Sequence, residues 1–157
     1  MSDEIQSDIN TLISTLKSVQ LATLSPKQLP EISYAPYLKQ HNSFFIFISD
    51  LATHTQNLKK HPHLSLMFIE DESRCQSVFA RRRLILECQS TLIERNSEKW
   101  HTTLLNFEAS HDSTIKVLKE LTDFHLFELN AIKGNFVKGF GQAYHLSGKA
   151  LQVIEQR

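Results

Sequence analysis

Residues Phe44-Phe45-Ile46-Phe47-Ile48 form an unbroken apolar run, bounded by His41-Asn42-Ser43 before it and Ser49-Asp50 after it. Such a run has the length of a strand, and it lacks the polar alternation of a strand with one wet face. It predicts a strand covered on both sides. A chain built around such a strand must supply apolar material to two faces at once.

The flanking segments fit that demand. Ser2 or Asp3 can cap a first helix, in which Ile5, Ile9, Leu12, Ile13 and Leu16 fall on one stripe, ending near Leu16–Ser18. Val19 to Leu24 reads as a strand, Ser25-Pro26-Lys27 as a turn, and Glu31 to Lys39 as a second strand carrying Tyr34 and Tyr37. After the apolar run, Ser49-Asp50 opens a short helix through Lys60, which His61-Pro62 stops. Leu64 to Ile69 is a strand, Glu70 to Gln76 a polar loop, and Ala80 to Glu94 holds a long strand. Asn96 or Ser97 caps a helix to about Glu108, and a second helix runs from about Ser113 to Leu121. Asp123 to Leu129 alternates except at Phe127. Gly134 to Leu146 holds a further strand, bulged or closely approached at Gly139 and Gly141, and a short helix is expected from about Gly148. Strands joined by short turns rather than by long helices predict an antiparallel barrel with flanking helices, not a doubly wound sheet.

The chain has 157 residues, enough for one domain over 1–157 with one core. A domain of this size buries roughly 70% of the surface its unfolded chain exposes. Lys plus Arg and Asp plus Glu each number 17, so no global charge attracts nucleic acid or acidic membranes. No segment approaches the ~20 apolar residues of a membrane span, and the acidic start has no signal-peptide character. Cys75 and Cys88 have neither disulfide-framework nor metal-site spacing, which suits reduced thiols in the cytoplasm.

Three constellations can carry chemistry. In Ser49 through Asn57 a buried strand ends in a hydroxyl and opens a helix, whose free N–H groups favour an anion. Ser49, Thr53, His54 and Asn57 can donate to a phosphate there, or Ser49 and Asp50 can simply cap the helix. Arg81-Arg82-Arg83 heads a strand, with Arg81 and Arg83 on one face. Guanidinium forks match phosphates and carboxylates, and a charged strand end is the plainer alternative. Ser33-Tyr34-Ala35-Pro36-Tyr37 can line a ring system, or the tyrosines can pack in the core. The eight histidines show no metal-ligand spacing, so no metal site is expected. No nucleophile motif and no Gly-rich phosphate loop occurs, and no catalytic residue is assigned.

These pieces occur in one order: Gln20-Leu21-Ala22-Thr23, Ser33-Tyr34-Ala35-Pro36, Ile48-Ser49 through His54, Asn57-Leu58, Met67 to Asp71, Phe79 to Leu84, and Phe136 to Tyr144. In that order the chain resembles the pyridoxamine-5′-phosphate-oxidase-like, FMN-binding split-barrel superfamily. Within it, the chain resembles the haem-utilisation proteins of the HugZ type. The likeness spans about residues 10 to 150. It implies an antiparallel split barrel working as a homodimer, with FMN or haem in a cleft at the subunit interface for redox or haem-iron utilisation. The alternative is a non-catalytic cofactor or haem carrier. By resemblance, Ser49 to His54 lie near a phosphate, Ser33 and Tyr34 line the ring, Arg82 and Arg83 contribute, Arg83 is implicated with haem, and Asp123 is tied to function. Two departures stand out. His54 replaces a Lys or Arg common in flavin-binding relatives, and Lys149 to Arg157 contain no histidine to ligate haem iron. An axial ligand is therefore not carried over.

Overall fold

The computed structural model of the protein describes residues 2–156. The helices are α1 (Ser2–Thr15), α2 (Thr53–Lys60), α3 (Glu98–Ser110) and α4 (Thr114–Leu118). The strands are β1 (Ser18–Leu24), β2 (Pro30–Pro36), β3 (Leu38–Gln40), β4 (Ser43–Ser49), β5 (His63–Ile69), β6 (Arg83–Leu92), β7 (Phe124–Gly139), β8 (Gln142–Ser147) and β9 (Gln152–Gln156). They form one antiparallel sheet in the order β2-β1-β5-β6-β7-β4-β3, with β8 added to β7 and β9 to β8.

That order dictates a curl. β2 and β3 sit at opposite ends of it, which in a flat sheet would separate them by about 29 Å. Only Tyr37 joins them, and one residue spans about 3.5 Å. The sheet must therefore roll until its edges meet, and β2 does pack against β4. The result is an antiparallel split barrel with flanking helices. Tyr37 also explains why the single strand expected over Glu31–Lys39 is two. Its N–H donates to the Lys17 carbonyl at 3.2 Å, and its hydroxyl bonds the carbonyls of Ile13 and of Leu16, the latter at 3.1 Å. Its ring stands edge-on to Phe44 and Phe68, with centroids 6.1 and 5.0 Å away. The corner thus fastens the end of α1 to the barrel.

β4 is buried from Ser43 to Ile48. Phe44, Ile46 and Ile48 point into the barrel with Leu21, Leu66, Phe68, Leu84 and Leu129. Phe45 and Phe47 point the other way, into a second core with Trp100, Leu104, Phe107 and Ile115 from α3 and α4. Each such side chain contributes about 1.5–3 kcal/mol when fully buried. Ser97 caps α3, accepting from the Trp100 N–H at 3.1 Å.

Two boundaries differ from expectation. The separate strands foreseen at 123–129 and 134–146 are one long β7 and the hairpin partner β8. The turn falls at Phe140-Gly141, where Gly141 has φ +66°. The segment after Gly148 is a strand, not a helix. Gly148 and Leu151 take φ +74° and +53°, Leu151 is buried, and β9 pairs with β8. Tertiary pairing overrides the local helical composition there.

The register defines an outer sheet face. Tyr34, Gln20, Met67, Ile85, Asn135 and His145 lie in one row across β2, β1, β5, β6, β7 and β8. Ile32 and Tyr34 on this face are 80% and 68% exposed.

Candidate functional site

Two adjacent residues of β2 face opposite ways. Ser33 pairs with buried Leu21 and turns toward α2, and Tyr34 turns outward. Helix α2 follows the end of β4, and its N-cap is Ala52, which makes no side-chain cap. The Thr53 and His54 N–H groups of its first turn have no intrahelical acceptor, whereas the Thr55 N–H donates to the Ala52 carbonyl at 3.1 Å. The helix lies across β1 and β2. The Nδ1 of His54 is 2.8 Å from Ser33 Oγ. Asn57 is buried and donates from Nδ2 to Thr23 Oγ1 at 3.0 Å and Glu31 Oε1 at 2.8 Å. Thr53, one residue before His54, is exposed.

Ser49 and Asp50 do not cap α2. Ser49 Oγ accepts from the Leu51 N–H and donates to Asp123 Oδ2 at 3.2 Å. The Asp50 N–H donates to the Asp123 carbonyl at 2.8 Å. The Asp50 carboxylate lies 2.5 Å from Lys59 Nζ and 2.9 Å from His125 Nε2. The hydrogen bond from Lys59, then the close His125 ring, hold its pKa down to about 2. The His125 contact is off-line for a hydrogen bond, and Nε2 is buried with no well-aligned partner. Lys59 and His125 were not legible as site residues. His125 was visible only as a polar member of an alternating strand.

The arginines divide three ways. Arg81 and Arg82 precede β6 rather than belonging to it. Arg81 clasps the Glu70 carbonyl with Nε at 3.0 Å and NH2 at 2.7 Å. Arg82 donates its N–H to Glu70 Oε1 at 2.8 Å and directs its guanidinium toward Asp8 of α1, at 3.9 Å. Arg83 alone is in the strand, paired with Ile69 and Val137. Its NH1 donates to the Arg81 carbonyl at 2.9 Å, which leaves most of a five-donor fork unspent.

Within one chain these residues do not form one pocket. Ser33, His54 and Asn57 make one cluster, and Ser49, Asp50 and Asp123 make its neighbour at the same end of β4. Arg83 is three strands from β2 along the sheet, about 14 Å at strand spacing. It shares the outer face with Ile85 and Tyr34, opposite to Ser33.

The pyridoxamine 5′-phosphate oxidase family model matches residues 5–138. The chain belongs to the pyridoxamine 5′-phosphate oxidase family. Within it the chain stands with the HugZ-type branch. It is 37% identical over 151 residues to the haem oxygenase HutZ of Vibrio cholerae, covering 96% of this chain and 86% of that one. The crystal structure of HutZ, described as a haem storage protein, superposes with a TM-score of 0.76 at 34% identity, over 80% of this chain and 88% of that one. Campylobacter jejuni ChuZ superposes with a TM-score of 0.87 at 34% identity, over 97% of this chain and 63% of ChuZ. This chain therefore spans under two thirds of ChuZ.

FMN and haem are both consistent with this family and these relatives. The residues test the two differently. The start of α2 offers hydroxyls and a helix end, since the Asn57 amide is spent on Thr23 and Glu31, and among the described residues it offers no free cation for a phosphate dianion. Burial lowers the His54 pKa, so the imidazole is neutral at neutral pH. Lys59 is committed to Asp50. A pyridoxamine 5′-phosphate oxidase relative that used this corner for FMN phosphate would bind it through neutral donors, roughly half as strong as charged ones. The outer face instead joins exposed apolar side chains to an arginine, which suits a flat apolar molecule bearing carboxylates.

Proposed function

We propose that this chain is a haem-binding protein of haem-iron utilisation, working as a homodimer in which two outer sheet faces meet and frame the cleft. The carrying observation is that Arg83 and the uncovered Ile32 and Tyr34 lie on one face of the sheet. An isolated barrel has no use for that apolar stripe. A second copy covers it, and a haem between the copies finds apolar walls and a guanidinium for a propionate. The identity with the haem oxygenase HutZ supports the ligand. Bound haem would supply iron redox chemistry. The chain's own residues bind and orient: Arg83 anchors a carboxylate, Tyr34 packs against the ring, and the Ser49–Asp123 pair stiffens the adjoining corner. We place the protein in the cytoplasm, a reducing compartment that suits Cys75 and Cys88, both free thiols. Among the described residues no helix is long and apolar enough to cross a membrane.

A second reading is a carrier that does not degrade haem. It is favoured by His145, which sits in β8 with its side chain fixed by the strand and Nε2 3.7 Å from Glu155. The experiment is a haemin titration followed by the Soret band, with sedimentation of the apo and loaded protein. Saturable binding to a species of twice 18.1 kDa supports the reading. Tyr34→Asp should then lower both dimer content and haem affinity. A monomer that binds haemin with undiminished affinity would overturn the interfacial site, and ascorbate-driven loss of the Soret band with iron release would overturn the carrier reading.

A further inference from the structure

A two-chambered cleft opens between the end of α1, the β2–β3 corner and the α3–α4 pair. The first chamber, about 410 Å³, is lined by Lys17, Lys39, His41 and His111, with hydroxyls of Ser14 and Ser110. Among the described residues no carboxylate lines it. The second, about 400 Å³, is lined mainly by Pro36, Phe107, Ile115 and Leu118. Lys17 and His111 line both. Each volume falls in the ordinary range for small-molecule sites.

The cationic side chains are positioned by the backbone, not by acids. Lys17 Nζ donates to the Ser110 carbonyl at 2.8 Å, and Lys39 Nζ to the His41 carbonyl at 2.9 Å. Each ammonium has three donors, so two remain on each. The His111 Nε2 donates to the Tyr37 carbonyl at 2.7 Å, which fixes the ring at the junction. Lys39 is exposed as a residue, yet its surroundings desolvate it enough to lower its pKa. Asp112, the one carboxylate among the described residues lining the cleft, lies in the second chamber and accepts from the Thr114 N–H at 2.8 Å. The walls are tied together by Tyr37, so the cleft is formed before any ligand arrives. It lies beside His41, at the opposite end of the seven-residue β4 from Ser49, and its Pro36 wall stands three residues along β2 from Ser33, about 10 Å.

We propose that this cleft is a second ligand site, separate from the cofactor cleft, and that it takes a small amphipathic anion, with its anionic head among Lys17, Lys39 and His111 and its short apolar body against Phe107, Ile115 and Leu118. A solvated charged surface would not need backbone-held ammonium groups beside an apolar chamber of matching size. The proposal does not depend on haem.

The test uses the whole protein and three probes: octanoate, octyl phosphate and octanol. Octanoate or octyl phosphate should shift the amide resonances of Lys17, Leu38 and His111 saturably, and the better of the two identifies the head group. Lys17→Gln and Lys39→Gln should each weaken that binding about fivefold, as expected for a partly exposed charge contact. Ile115→Asn should weaken it too, with circular dichroism checking that the fold is kept. Arg83→Ala should leave it unchanged. The proposal fails if neither anion shifts these amides, if octanol binds as tightly as the anions, or if the two lysine variants bind as the wild type does.

Discussion

The Nδ1 of His54 lies 2.8 Å from the hydroxyl of Ser33, joining the first turn of α2 to the inward face of β2. The contact needs no charge, because a hydroxyl can donate to a neutral imidazole or accept from it. Burial lowers the His54 pKa from its ordinary 6.5. The folded protein therefore holds this proton less readily than the unfolded chain. By linkage, this site's contribution to stability is complete at neutral pH and is lost as pH falls through the ordinary histidine range. The urea midpoint of the wild type should drop between neutral pH and about pH 5 more steeply than that of His54→Gln. Superimposable profiles would assign the acid sensitivity to other groups.

Restoring a cation at that position should favour a phosphate ligand. In His54→Lys an ammonium would stand at the open start of α2, and FMN should bind about tenfold more tightly than to the wild type. Flavin fluorescence quenching measures this directly. Equal affinity in the two proteins would mean that FMN phosphate does not occupy this corner.

Arg83 spends one donor on the Arg81 carbonyl and is not a pillar of the fold. Arg83→Ala should keep the wild-type melting curve and weaken haem binding at least about tenfold, since losing one partner of a desolvated charge pair costs about 2–5 kcal/mol. Arg83→Lys should recover only part of it, because an ammonium cannot reproduce a fork. A titration unchanged in Arg83→Ala would reduce the arginine to a charged strand end.

Haem, once bound, should not depend on His145 for its iron. Its strand fixes the side-chain direction, and Nε2 faces Glu155. His145→Ala should leave the Soret maximum in place and the affinity within about threefold. Abolished binding in this variant would make His145 the axial ligand.

Gly134 has no room for a side chain. A Cβ there would lie 2.5 Å from the Ile85 carbonyl oxygen and 2.5 Å from Leu86 Cδ2. Backbone cannot yield as a side-chain tip can, so Gly134→Ala should destabilise the protein by about 1–3 kcal/mol or more. Urea denaturation reads this, and a change under half a kcal/mol would show that β6 and β7 separate easily.

Much of this architecture could be read from the chain because local and tertiary preferences agree. Phe44 to Ile48 announced a strand with two dry faces, and the stripe from Ile5 to Ile13 announced α1. Tyr37 misled because an aromatic residue suits a strand, and its role as a corner depends on carbonyls of α1 far away in sequence. Lys149 to Leu151 misled because helix-forming residues there make a tight turn closed by the Leu151 N–H to the Gly148 carbonyl, which delivers Gln152–Gln156 to β8. The site was half visible. Ser49, Thr53, His54 and Asn57 announce themselves where a strand turns into a helix. Their companions Thr23, Glu31 and His125 come from other strands, and no spacing links them. The separation of Ser33 from Tyr34 follows from strand alternation, but which face is covered is decided only by where α2 lands.

The double-faced burial of β4 carries a liability during synthesis. Its partner β7 comes late in the chain, and the bond from Ser43 to Glu128 closes across 85 residues. While the ribosome is still making the α3–α4 segment, both apolar faces of β4 are bare and one edge has no mate. Nascent chains stalled before β7 therefore offer a sticky, strand-ready segment to each other. They should be held by chaperones or aggregate, whereas chains that reach β7 bury the same residues at once.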